Sequence, residues 1–164
     1  MAKRIVYGIL HCAASPEGLD MKAKQVAEYH MRPVSKGGRG WDRPGYAQVV
    51  ELDGTAVELR TYNENDLVEN HEMTWGAVGL NQVSIHICYI GGVDKKGKPK
   101  DTRTPAQKKA LEMIVKGLIK RWPWLKIAGH YHFAAKACPC YDVEKWCEEI
   151  GLDEKNIYRK VKKK

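Results

Sequence analysis

The chain has 164 residues, with 28 Lys and Arg against 20 Asp and Glu and a formal charge of +8. At 43% hydrophobic and 29% charged residues it can bury one core of domain size, which excludes a disordered or low-complexity chain. No apolar run approaches the roughly 20 residues needed to cross a bilayer, and the opening Met1-Ala2-Lys3-Arg4 leads into only a short apolar stretch before His11, so neither a transmembrane helix nor a signal peptide is expected.

Residues 4–10 are β-branched and apolar, a buried strand that delivers His11 at its C-terminal end. Ser15-Pro16-Glu17-Gly18 breaks it. Asp20 is a good cap for a helix running to about His30, with Val26, Ala27 and Tyr29-His30 as its apolar stripe and Pro33 as its stop. Residues 35–40 read as an exposed loop. Residues 46–52, the Asp53-Gly54 turn and residues 56–59 predict a hairpin. Residues 67–79 have no clear period and read as a loop carrying His71 and Trp75, after which residues 83–90 resume a strand pattern. Gly91-Gly92 and a lysine-rich stretch form a surface connection to Thr104. Thr104, Pro105 and Gln107 then combine an N-cap, a proline at the first helical position and a capping-box partner, which predicts a helix to about Arg121. Residues 124–128 form a short strand, residues 129–141 are irregular, and Asp142 caps a last helix ending near Gly151. This alternation predicts an α/β fold, a single domain with a central mixed β-sheet flanked by helices, over residues 1–151, followed by a basic C-terminal tail over residues 152–164.

Five cysteines, at positions 12, 88, 138, 140 and 147, are an odd number, unlike a secreted disulfide framework, and point to free thiols or metal ligands in a reducing compartment. His11 sits at a predicted strand end, while His130 and Cys138 flank a short irregular segment. Imidazole and thiolate together suit zinc, and three protein ligands leave a fourth tetrahedral position for water, whose pKa zinc lowers to about 7. The spacing from His130 to Cys138 is not that of a short zinc knuckle. The basic tail and residues 95–103 suit an acidic polymer, whether nucleic acid, membrane surface or cell wall, or else a solvated tail. No helix carries Arg and Lys interleaved with aromatics as groove binding requires, so no nucleic-acid partner is expected.

Several short segments occur in one order: His11-Cys12-Ala13-Ala14-Ser15, Gly40-Trp41 leading to Gly45-Tyr46, Asp53-Gly54-Thr55, Ser84-Ile85 with Gly91-Gly92, Thr104-Pro105-Ala106-Gln107, Gly129-His130, and Lys136-Ala137-Cys138-Pro139 followed by Asp142. In that order they resemble the zinc-dependent N-acetylmuramoyl-L-alanine amidases related to peptidoglycan recognition proteins, above all the short lysozyme-like amidases of bacteriophages. The resemblance covers residues 5–146. It implies one zinc ion held by His11, His130 and Cys138, with Tyr46 and Lys136 as the pair beside the metal. Amide hydrolysis needs a nucleophile, stabilisation of the tetrahedral oxyanion and a proton for the leaving amine. Lys136 is assigned to the oxyanion and Tyr46 to orienting water or substrate, roles that the two could exchange. His71 and Asn81 match groove-lining positions and are expected substrate contacts. The implied substrate is peptidoglycan, stem peptide and glycan, cut by a monomeric phage or prophage endolysin that stays in the host cytoplasm until the membrane is permeabilised, without inserting into it. A non-catalytic peptidoglycan-binding module of the same fold is the alternative.

The sequence departs from that pattern in places. Ala47 follows Tyr46 where many relatives carry a histidine, and His86 stands where relatives usually have a glycine, where it either narrows the site or hydrogen-bonds in the core. His132, two residues after His130, falls on the opposite side of an extended segment and is read as a supporting or surface residue. Cys140 is read as a free side chain, with competition for metal or oxidation with Cys138 as the alternatives. Cys12, Cys88 and Cys147 are expected to be buried thiols, and Trp122, Trp124 and Trp146 packing aromatics.

Overall fold

In the computed structural model, which describes residues 1–162, the strands are β1 (Lys3–Arg4), β2 (Tyr7–Cys12), β3 (Ser15–Pro16), β4 (Gln48–Val50), β5 (Ala56–Glu58), β6 (Leu67–Val68), β7 (Ser84–Tyr89), β8 (Gly92–Val93) and β9 (Lys126–Gly129). The helices are α1 (Ala23–Met31), α2 (Pro105–Arg121) and α3 (Val143–Glu149). One mixed sheet runs in the order β5-β4-β7-β2-β9, with β4, β7, β2 and β9 mutually parallel and β5 antiparallel at the edge. Two minor pairs, β1 with β6 and β3 with β8, tie the loops to it. The α/β expectation holds.

Every residue of β7 is buried, as befits a parallel strand covered on both faces. Side chains alternate along it. Ile85, Ile87 and Tyr89 join Leu10 and Cys12 in a core that also contains Leu111, Val115, Leu118 and Trp122. On the opposite face Cys88 and Val49 pack with Ala23 and Val26 of α1. The register sets Ile9 beside His86 and His11 beside Cys88, so both histidines point to the α1 face.

Local chemistry explains the helix starts unevenly. At α2 the predicted cap forms: Thr104 Oγ1 accepts from the Gln107 N–H at 3.1 Å, and Gln107 Oε1 accepts from the Thr104 N–H at 2.9 Å. Leu111, Val115 and Leu118 continue the stripe below Gln107 at helical spacing. At α1 the helix begins after Lys22 rather than Asp20. Asp20 instead pairs with the Lys22 ammonium at 3.0 Å, and the Ala23 N–H donates to Glu51 Oε1 of the neighbouring hairpin at 2.9 Å. The hairpin forms as expected, with the Thr55 N–H donating to Asp53 Oδ1 and Gly54 at φ 88°, a left-handed conformation glycine adopts without strain.

Residues 152–159, grouped with the basic tail on sequence, are packed against the β9 edge. Asn156 Nδ2 donates to the carbonyls of Pro123 and Leu125, Ile157 is 2% exposed beside Ile127, and the Tyr158 N–H donates to the Ile127 carbonyl. Arg159 then binds Glu144, Glu148 and Glu154 together. A lone Asn-Ile pair between charged neighbours carries no periodic signal, which hides this segment in the sequence. Residues 160–162 are exposed, and the last two residues of the tail lie outside the described residues.

Gln107 is fully buried, and its Nε2 also donates to the carbonyls of Ile90 and Val50, closing the C-terminal ends of β7 and β4. Gln107→Ala leaves the Ile90 carbonyl and the Thr104 N–H unpaired, while the Val50 carbonyl keeps the Ile90 N–H, and chemical denaturation is expected to show a loss of about 2–3 kcal/mol.

Candidate active site

His11, 1% exposed, closes β2, and its Nδ1 lies 3.8 Å from Cys138 Sγ. His130 follows β9, its ring centred 4.6 Å from that of His11. The donor atoms of His11, His130 and Cys138 all lie within 4.8 Å of one another. Two parallel strands separated by over a hundred residues therefore supply the histidines side by side. The cysteine loop is fixed from three sides: the Tyr131 N–H donates to the Cys138 carbonyl at 2.9 Å, Tyr89 Oη donates to the Pro139 carbonyl at 2.8 Å, and the Cys12 N–H points at Cys138 Sγ at 3.3 Å.

The donor set fits a zinc ion. Bonds of about 2.1 Å to nitrogen and about 2.3 Å to sulfur at tetrahedral angles place N and S about 3.6 Å apart, close to the 3.8 Å between His11 Nδ1 and Cys138 Sγ. Burial, then the neighbouring His86, His130, Lys136 and His30, holds the His11 imidazole well below its ordinary pKa, and burial followed by Lys136 lowers His130. Both rings are thereby neutral near pH 7 and carry a lone pair for a metal.

Tyr46 precedes β4 and sets its ring between those of His11, tilted at 46°, and His30, edge-on at 68°, with centroids at 5.0 and 5.3 Å. Burial first, then the thiols of Cys88, Cys138 and Cys12, pushes its phenol well above the usual range, so it remains a hydroxyl donor. His30 braces it: His30 Nδ1 accepts from the Gly45 N–H at 3.1 Å while the ring stacks on Trp41. Burial, assisted by Arg39, lowers His30 to about 4 and keeps that acceptor unprotonated. Sequence reading placed His30 in an apolar stripe; its bracing role depends on a loop fifteen residues away.

Tyr46, His30, His130 and Cys138 border a cleft of about 1190 Å³. Arg39, Trp41, Trp75 and Asn81 line it, and the exposed Lys136 stands at the rim beside His130. Asp42 ties the Trp41 loop to Trp75 by accepting from Trp75 Nε1 at 2.9 Å. Asn81 Oδ1 accepts from the Ala77 N–H, bracing the wall it belongs to. His71 does not border the cleft. It is exposed, 3.5 Å from Glu69, on a turn held by Arg60 and Glu72. Sequence proximity to Trp75 suggested otherwise, but the intervening turn points it outward.

The other departures resolve plainly. His132 is buried but engaged elsewhere, accepting from the Gly129 N–H and pairing with Glu144 at 2.9 Å. Cys140 Sγ lies 3.8 Å from Cys12 Sγ, and burial raises its thiol to about 12. All five cysteines are free thiols, with Cys12, Cys88 and Cys147 buried. Trp122 and Trp146 are core residues, and Trp124 donates to the Ile5 carbonyl. His86 lies directly behind the site, its Nδ1 2.9 Å from His11 Nε2, and burial lowers its pKa to about 3. The hydrogen-bonding reading of His86 is the one realised.

A profile of the N-acetylmuramoyl-L-alanine amidases matches residues 1–141. The chain belongs to this amidase family. The endolysin of Klebsiella phage KP32 is 30% identical over 143 residues, covering 87% of this chain and 85% of that protein. The endolysin of Escherichia phage T7 is 29% identical with the same coverage. Among solved structures, the Ph2119 endolysin from a Thermus scotoductus bacteriophage superposes with a TM-score of 0.68 at 24% identity, covering 93% of this chain and 88% of that one, a likeness of fold. The amidase reaction is hydrolysis of the bond between N-acetylmuramic acid and L-alanine in peptidoglycan.

The cleft wall leaves no room for error behind His86. A Cβ on Gly76 would stand 2.3 Å from His86 Cγ, so Gly76→Ala is expected to destabilise the fold by about 1–3 kcal/mol, read by chemical denaturation.

Proposed function

We propose that this amidase is a zinc-dependent endolysin in which His11, His130 and Cys138 hold one zinc ion, Tyr46 and Lys136 assist the chemistry, and Asn81 contacts the substrate. The convergence of the three donors, with His130 and Cys138 lining the cleft and His11 buried beside them, carries this reading. Bound there, zinc supplies Lewis acidity to the amide carbonyl and to water.

The chain's own groups do the rest. The cleft positions the stem peptide across the floor. Lys136, at the rim beside His130, brings a flexible cation to where negative charge develops on the carbonyl oxygen. Tyr46, held as a neutral hydroxyl, donates a hydrogen bond that orients water or the scissile amide. The Asn81 side-chain carbonyl is committed to its own loop, which leaves its NH₂ as the group for the substrate. His71 does not line the cleft.

In this reading the enzyme is a monomer acting on stem peptide and glycan. Among the described residues, no helix is long and apolar enough to cross a membrane. Production in the host cytoplasm, followed by access to the wall after the membrane is permeabilised, accords with the endolysins it resembles.

The deciding measurement is bound zinc together with release of L-alanine amino termini from purified peptidoglycan. One zinc per wild-type chain and its loss in His130→Ala are expected. Lys136→Ala is expected to keep zinc while kcat falls by about 10²-fold or more. Zinc-free protein that binds peptidoglycan without cutting it, even after zinc is added, would replace this reading with a recognition module.

The exposed basic end supports a second expectation. Deleting residues 160–164 spares the Arg159 brace and is expected to weaken binding to anionic cell wall at low salt, with the difference vanishing at high salt as screening removes the attraction. Equal binding at low salt would exclude a role for the tail.

A further inference from the structure

His11 is the most enclosed of the three donors, and both its ring nitrogens have identifiable neighbours. Nδ1 faces Cys138 Sγ at 3.8 Å, while Nε2 faces His86 Nδ1 at 2.9 Å. His11 is 1% exposed and His86 0% exposed, so water does not substitute for either ring. A neutral imidazole has one N–H and one lone pair. If Nδ1 offers its lone pair to a metal, the proton must reside on Nε2, and that buried N–H needs an acceptor.

We propose that His86 is a positioning residue for His11: its Nδ1 accepts the His11 Nε2 proton and so holds the His11 Nδ1 lone pair toward Cys138 and the metal. This rests on the zinc reading given above. Ligating histidines are oriented in this way by carboxylates, backbone carbonyls or water; here the acceptor is a second imidazole from the adjacent strand.

Two features fix that imidazole. The parallel register places His86 beside Ile9, one step from His11 on the same face of the sheet. Gly76 lies against the ring on the cleft side, where any Cβ would overlap Cγ, Nδ1 and Cδ2 at 2.3–2.7 Å. The proton that His86 itself carries then sits on Nε2, which has no hydrogen-bond partner among the described residues. The only polar ring atom of His86 engaged by protein is the one aimed at His11. Without that acceptor, nothing in the buried pocket favours the tautomer that ligates through Nδ1.

The test uses two substitutions and one spectrum. His86→Phe keeps a ring in the space but removes the acceptor; His86→Asn places a side-chain oxygen where Nδ1 stood. Zinc affinity, measured by competition with a chromophoric chelator, is expected to fall about 10–100-fold in His86→Phe and to stay within about threefold of wild type in His86→Asn. Thermal melting of the zinc-free proteins reports whether each variant folds. In the zinc-loaded wild type, long-range ¹H–¹⁵N correlation of the histidine rings is expected to show the His11 proton on Nε2, a result independent of either variant.

A proton on Nδ1 of His11, unchanged affinity in His86→Phe, or equal losses in both folded variants would overturn the positioning role while leaving the metal site intact. Wild-type protein that holds no zinc would overturn both.

Discussion

The burial of His11 at the end of β2 constrains the whole site. A side chain with two polar nitrogens is enclosed among parallel strands where water cannot satisfy it, so each nitrogen must be met by protein or by a ligand. The sheet meets one of them from inside: β7 runs parallel to β2 and presents His86 one step behind. The other is met from outside by the loop that carries Cys138. That loop is itself tied to the sheet, through Tyr89 of β7 and the backbone of Cys12 at the end of β2. The same two central strands thus carry one donor, its partner and the anchors of a second donor.

This arrangement makes the site a property of the sheet more than of its loops. The interior covered by α2 keeps β2 and β7 in register through an apolar contact surface on one face, and the chemistry occupies the other. Burial that would be unfavourable for an isolated charged histidine is tolerated because the rings stay neutral, their protonation suppressed by that same burial. Strand β2 holds His11 and a loop tied to the sheet holds Cys138, while the exposed Lys136 retains the freedom of a long side chain at the rim.

Legibility in the sequence followed the range of the interactions. The α2 start was readable because its cap is closed within three residues, and the Asp53-Gly54 hairpin because its turn is local. The α1 start was displaced because Glu51, nearly thirty residues away, takes the first N–H. The convergence of His11, His130 and Cys138 was visible through ordered motifs rather than spacing, since no local rule joins strands so distant in sequence. His86 was noticed as an oddity, but only the register of β2 against β7 gives it a partner. His71 was misplaced toward the cleft because a turn without periodicity says nothing about which way its side chains face. Ile157 was missed because one apolar residue among charges makes no pattern.

Differences in strand length complete the geometry. In parallel sheets, ligands gather beyond the C-terminal strand ends, and His11 and His130 occupy such positions. Tyr46 does not; it precedes its strand. Yet β4 has three residues against six in β7, and its first residue, Gln48, pairs with Ile87. The approach to β4 therefore lies alongside the middle of β7, where the Ala47 N–H donates to the His86 carbonyl at 2.8 Å. A late-starting strand brings a residue from its N-terminal side level with the histidines, so Tyr46 reaches His11 across the α1 face. Lengthening β4 at its start would replace that turn with sheet, close the cleft wall and separate the phenol from the donors it now adjoins.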